Sequence, residues 1–346
     1  MIKVGNLKIG RNFTPKIIAE IGINHNGSLD EAKKLAELAA ISGADIVKSQ
    51  FHIASEEMSA QARNVIPPHT KKSIYEIIEE CSLSVDDEFK YKEFIENLGI
   101  EYLCTPFSAK AAHLLGEMKV NAFKIGSGEC NNFAVLEASA SYKKPMFIST
   151  GMNTLESCKK TYNFVENKIG NNILLLHTTN LYPTPSHLVR LGGISELHEI
   201  AGEYVGLSDH TTCNLACLGA IALGSVVIER HFTDTKDRKG PDIINSMTPD
   251  ELRELKKSSI IMFEMRGGSK KNEIHEEDAI RDFAFATVVA SKDLKKGDII
   301  TKMNTWPKRP GIGEIPAFKH ESILGKVINK NISKDIHISF NDFVEN

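Results

Sequence analysis

IIAEIGINHNGSLDEAKKLAELAAISGADIVKSQ, residues 17–50, reads as a strand, a helix and a second strand in succession. The run 17–22 is short, apolar and rich in β-branched residues, and 45–50 repeats that character. Between them, apolar residues recur every three or four positions over 29–41, the period of a helix buried on one face. Such a strand–helix–strand unit places its two strands in parallel. The turn after the first strand, Glu20-Ile-Gly-Ile-Asn-His-Asn-Gly27, fits neither G-x-G-x-x-G nor the P-loop, as an open nucleotide-binding sheet would advertise.

The unit recurs along the chain. Further strand candidates are 101–107, 122–128, 145–151, 172–180, 205–210 and 226–232, which makes eight in all. Helical periodicity returns at 86–98, 155–167 and 214–223. Eight alternating units predict a closed (β/α)8 TIM barrel, with an open doubly wound sheet as the alternative. One connection, 51–85, is unusually long and carries Pro67-Pro68 and a helix over 73–81, as an excursion that shapes a pocket would. The last barrel helix spans 249–266, so the barrel domain is assigned to 1–268 and the polar stretch 269–282 to a linker. From 283 to 346 the pattern shifts to short β-rich pieces (283–290, 298–300 and 326–328), a small module that gains rigidity by docking.

Composition narrows the function. The chain has 346 residues, 41% of them hydrophobic and 25% charged, which is ordinary for a globular protein and excludes global disorder. Lys and Arg number 42 against 45 Asp and Glu, a net charge of −3 that argues against a dedicated nucleic-acid partner. The strongest apolar run, 215–228, is too short for the roughly 20 residues of a spanning helix and predicts no membrane segment. The N-terminus lacks a signal-peptide core, and the six cysteines are scattered without a C-x-x-C pair. These features predict a soluble, cytoplasmic protein.

In a barrel, reactive groups sit at the C-terminal strand ends. Those ends carry Glu20, Lys48, Gln50, Thr105, Lys124, Ser127, Glu129, Ser149, His177, Asn180, Ser208, Asp209, His210, Glu229 and His231. Charges gathered there without water or a ligand would each cost several kcal/mol, which points to an open polar site. His210 and His231 end consecutive strands and suit a divalent metal such as Mn²⁺, unless each ring only bonds a backbone carbonyl. Asp209 and Glu229 are candidates for orienting those rings. Lys48 and Lys124, with hydroxyls at neighbouring ends, could hold a phosphate and a carboxylate. Internal pairing with Glu20 or Glu129 is the alternative.

These residues lie in segments that resemble the sialic acid synthase family. The matching stretches are AEIGINHNG (19–27), SIYE (73–76), TPF (105–107), KIGSGECNN (124–132) and STGM (149–152). They continue with NLYPTP (180–185), GLSDH (206–210), ERHF (229–232), GPD (240–242) and KRPG (308–311), in order along nearly the whole chain. The resemblance implies a barrel followed by a C-terminal SAF (antifreeze-like) domain, which caps the partner's barrel in a domain-swapped homodimer. It implies condensation of phosphoenolpyruvate with an N-acyl hexosamine, here N-acetylmannosamine, to give N-acetylneuraminate. Legionaminic or pseudaminic acid synthesis is the alternative, and a sugar- or ice-binding protein the non-enzymatic one.

The same likeness assigns roles. Glu20 would act at the reacting carbon, and Lys48, Thr105, Lys124, Ser127, Asn180 and Ser208 would hold phosphoenolpyruvate. Gln50, Glu129, Tyr182 and Asp242 would line the sugar pocket, with Arg309 reaching in from the partner. His210 and His231 would bind Mn²⁺, or Mg²⁺ or Co²⁺. His69 departs from the family, which places an asparagine there to hold the sugar; imidazole offers fewer donors than a carboxamide.

Overall fold

The computed structural model describes residues 1–66, 71–267 and 271–344. The chain divides into two compact units, Met1–Gly268 and Ser269–Asn346. In the first, eight parallel strands close into a barrel. They are β3 (Lys16–Gly22), β4 (Ile46–Phe51), β5 (Glu101–Pro106), β6 (Phe123–Ile125), β7 (Met146–Ser149), β8 (Ile173–Thr178), β9 (Val205–Asp209) and β10 (Val227–His231). β10 pairs with β3 and closes the ring. All eight predicted strands are present. β6 is shorter than the 122–128 expected, because its C-terminal end turns at once, with the Glu129 amide donating to the Gly126 carbonyl.

Register explains where the polar groups gather. Side chains alternate along a strand, so one parity faces the barrel interior and the other the helices. Toward one end the inward parity is apolar: Ile18, Ile46, Leu103, Ala122, Phe147, Leu174 and Val227 pack as one cluster. An N-terminal hairpin, β1 (Ile2–Val4) paired antiparallel with β2 (Leu7–Ile9), inserts Ile2, Val4 and Ile9 into that cluster and plugs the end. In sequence, residues 1–10 show only an alternation of charged and apolar residues. Two or four residues further along each strand, the same parity delivers Glu20, Lys48, Thr105, Lys124, Ser149, Thr178 and Glu229. The opposite parity, including Ile17, Ala19, Val47, Cys104, Phe123 and Ile228, packs on the surrounding helices.

The helices start where side-chain caps satisfy their first amides. Ser28, Ser84, Ser108 and Thr154 accept from the backbone three residues on, and Ser73 and Thr248 form full capping boxes with Glu76 and Glu251. The excursion after β4 holds a short helix at Ala54–Glu57, a 3-10 turn at Ala60–Asn64 and the expected helix at Ile74–Cys81. Among the described residues no helix is long and apolar enough to cross a membrane.

In the second unit, β11 (Thr287–Ala290) pairs antiparallel with β12 (Thr305–Lys308). Val288, Ala290, Leu294, Ile300, Ile315, Ile323, Ile328, Ile332, Ile338 and Phe343 form its core. The sequence expectation needs correcting here. The pieces 298–300 and 326–328 meet only in a single bridge, Ile299 to Val327. The sequence does not mark β12, because Pro307 lacks an amide donor; β12 pairs only with β11, and an edge strand tolerates the proline. The stretch taken as linker contains a 3-10 turn at His275–Glu277 and a helix at Asp278–Ala284 that takes in the first residues of the expected 283–290 strand.

Candidate active site

The C-terminal strand ends surround a cavity of about 290 Å³. Glu20, Lys48, Gln50, Thr105, Lys124, Ser127, Glu129, Asn180, Tyr182, Ser208, His210 and His231 all line it. Ser149, expected as a hydroxyl donor, and Glu229 line it too, together with Thr178 and Phe107, to which the sequence gives no role. Asp242 does not reach the wall; its carboxylate lies 3.7 Å from Nδ1 of His231. Arg309 belongs to the second unit, directly after β12, and is exposed. His69 lies outside the described residues.

The two lysines are buried and paired. Lys48 Nζ is 2.8 Å from Glu20 Oε2, 3.6 Å from Glu229 Oε1 and 3.2 Å from the Thr105 hydroxyl. Lys124 Nζ is 3.4 Å from Glu229 Oε1 and 2.8 Å from the Ser149 hydroxyl. Internal pairing is therefore real, but the second partner is Glu229 and not Glu129. Register is the reason: Glu229 is on the inward parity of β10, while Glu129 follows the turn after β6. Burial opposes the charge of Lys48, and Glu20 and Glu229 more than offset it, so its pKa ends raised. Burial lowers Lys124 to about 8, with Glu229 opposing and the Lys48 charge adding to the fall. Burial also works against ionisation of Glu229, but Lys124 and Lys48 hold its carboxylate below the usual range.

His210 and His231 stand with ring centroids 5.6 Å apart, and Tyr182 packs 4.1 Å from His210. The His210 Nδ1–H donates to the Thr179 carbonyl at 2.8 Å, which leaves Nε2 with the lone pair. Burial first, and His231 second, lower His210 to about 3, so the ring is neutral and able to ligate. The Nδ1 of His231 is buried without a hydrogen-bond partner. An orphaned imidazole nitrogen beside a neutral ring fits a divalent cation. Among the described residues no three or more His, Cys, Asp or Glu side chains cluster as a closed metal site would need, so the protein offers an open, two-imidazole set.

The acids expected to orient those rings do not. Asp209 accepts from the Thr211 amide and hydroxyl and faces Arg230, while Glu229 serves the lysines and Ser208. A backbone carbonyl orients His210 instead. His177 donates to the Val189 carbonyl and is structural.

The anion side of the cavity is built from turns. The Ser127 hydroxyl accepts the Gly151 amide at 3.1 Å, and Asn180 Oδ1 is buried without a partner. Gly151 is required by this approach: a Cβ there would fall 1.9 Å from Asn180 Oδ1 and 2.9 Å from Ser127 Oγ.

Comparison with known proteins fits this geometry. Residues 35–271 match the NeuB family and 285–344 match the SAF domain. The chain belongs to the NeuB family. One relative, the N,N'-diacetyllegionaminic acid synthase of Campylobacter jejuni, is 38% identical over 92% of this chain and 97% of its own. The pseudaminic acid synthase of another strain of that species is 32% identical over 97% of this chain and 100% of its own. Among solved structures, the N-acetylneuraminic acid (sialic acid) synthetase of Leptospira borgpetersenii superposes with a TM-score of 0.73 at 26% identity. It covers 81% of this chain and 94% of its own. NeuB relatives are thus named for different nonulosonic acids.

Proposed function

We propose that the protein condenses phosphoenolpyruvate with the open-chain aldehyde of an N-acyl hexosamine and water, giving a nonulosonic acid and phosphate. The observation that carries this reading is the burial of two ammoniums, Lys48 and Lys124, in one cavity with the His210–His231 pair. Lys48 and Lys124 balance the charge of phosphate and carboxylate, and Thr105, Ser127, Asn180 and Ser208 supply short hydrogen bonds around them. C3 of the enol phosphate bonds to the aldehyde carbon, whose oxygen takes up a proton and becomes a hydroxyl. Positive charge develops at C2, where the Glu20 carboxylate stabilises it and helps orient the water that adds there. The C2–O bond to phosphate then breaks and leaves a 2-keto acid. Bound by His210 and His231, a divalent cation (Mn²⁺ first, with Mg²⁺ or Co²⁺ also suited) would supply Lewis-acid polarisation of the aldehyde.

N-acetylmannosamine, giving N-acetylneuraminate, is the substrate we assign, with Gln50, Glu129 and Tyr182 at its hydroxyls and Asp242 close by. The likeness to the Leptospira synthetase supports it. A second reading, a diacetamido hexose leading to legionaminic acid, is favoured by the 38% identity to the Campylobacter enzyme. Six free thiols suit a reducing cytoplasm. The working unit would be a homodimer in which Arg309 of one chain reaches the other's sugar pocket. Phosphate release from phosphoenolpyruvate with a panel of N-acyl hexosamines tests the assignment. Turnover fastest with N-acetylmannosamine supports the first reading, and with the diacetamido sugar the second.

A further inference from the structure

The hydrogen-bond order around Gln50 is dictated by its neighbours. Glu20 is paired with the Lys48 ammonium, so its carboxylate only accepts. The Gln50 side chain approaches Glu20 Oε1 at 2.6 Å and must present its nitrogen there. Its carbonyl oxygen then faces His52 Nε2 at 3.1 Å, and an oxygen without a proton requires the ring to donate. On the other side, His52 Nδ1 lies 3.0 Å from both oxygens of Glu57, which again only accept. The ring nitrogen facing Gln50, Nε2, therefore carries a proton. The ring plane is held as well: His52 stacks on Phe107 with centroids 4.1 Å apart and planes 16° apart. The His52 and Glu57 side chains are only 4% and 8% exposed.

We infer that His52, clamped by Glu57 and stacked on Phe107, is a positioning residue that holds the Gln50 amide in place beside Glu20. The inference deepens the synthase reading and rests on it. Without the ring, the Gln50 carbonyl loses its donor and the amide is free to swing away from Glu20 Oε1. With it, a substrate in the cavity meets a Gln50 that can only donate, which selects a hydroxyl or carbonyl oxygen at that point of the sugar. The charged and titratable groups facing the ring are Glu57 on the following helix, His25 after β3 and Glu129 after β6. Neither His52 nor Glu57 touches the reacting atoms.

Two measurements on the full chain test this. With ¹⁵N-labelled histidine, and signals assigned by their loss in His52→Phe, the His52 Nε2 should carry a proton; an unprotonated Nε2 overturns the proposal. Kinetically, His52→Phe keeps the stack on Phe107 and should lower kcat/KM for the sugar about 10- to 100-fold, the range for lost outer partners of a site. The KM for phosphoenolpyruvate should move less than about twofold, and in a Gln50→Ala background His52→Phe should cost nothing further. Additive losses, or an equal change in the phosphoenolpyruvate KM, overturn it. Wild-type protein that turns over no N-acyl hexosamine would sink the synthase reading instead, and the ring protonation would still decide the arrangement.

Discussion

His210 and His231 face each other across 5.6 Å between ring centroids, one fixed by the Thr179 carbonyl and the other with a buried nitrogen that has no partner. Neither ring is hydrogen-bonded to a carboxylate, Asp242 standing 3.7 Å from His231 Nδ1, so both remain available to a cation. His210→Ala and His231→Ala should each weaken Mn²⁺ binding, read by electron paramagnetic resonance titration, by at least the ~10–100-fold seen for outer partners of metal sites. Wild-type affinity in both variants would remove the imidazole pair from metal binding.

Gly151 leaves the space into which Asn180 and Ser127 converge. Gly151→Ala must push the Asn180 carboxamide out of the cavity, so the KM for phosphoenolpyruvate should rise about tenfold or more, a loss of roughly 1.4 kcal/mol or greater. The melting temperature should barely change. An unaltered KM would show that this corner does not hold the anion.

Arg230, on the outward parity of β10, is 1% exposed. It donates to Asn214 Oδ1 at 2.7 Å and the Thr211 carbonyl at 3.0 Å, and lies 3.4 Å from Asp209. Arg230→Met leaves the buried Asp209 carboxylate without its cation, held only by Thr211, and should cost ~3–5 kcal/mol in urea unfolding. Arg230→Lys should recover little, because an ammonium cannot reproduce the fork. Full recovery by lysine would mean that charge alone matters at this position.

Glu88 is buried behind β5, where the Tyr102 hydroxyl donates to it, and burial raises its pKa to about 7. The native chain therefore keeps this proton over a range in which the unfolded chain, with a carboxyl near 4.5, has lost it. The stability from this group is complete below about 4.5, falls as pH rises toward 7 and is then flat, a change of up to about 3 kcal/mol. Urea titrations from pH 4.5 to 8 should show that slope in the wild type and a flatter one in Glu88→Gln. Parallel curves would contradict it.

The barrel was legible because its strands, buried on both faces, read as short β-branched runs, and because strand-end position locates reactive groups without knowledge of contacts. Lys48, Lys124, His210 and His231 were found that way. Partnerships were not legible. Glu229 and Glu129 both follow strands, and only inter-strand register decides which one meets the lysines. Asp209 was taken for a partner of the imidazoles because the sequence does not reveal Arg230 turned back toward it. His52 and Glu57 lie in the long excursion after β4, whose path tertiary packing sets. The hairpin β1–β2 was missed because three-residue strands carry too little pattern to separate from a tail.

The most direct test uses phosphoenolpyruvate carrying ¹⁸O at the oxygen between C2 and phosphorus, incubated with the full chain, Mn²⁺ and N-acetylmannosamine. The account predicts a nonulosonic acid formed in step with phosphate, with the label in the phosphate. Label in the sugar acid, or no phosphate released with any N-acyl hexosamine, would contradict it.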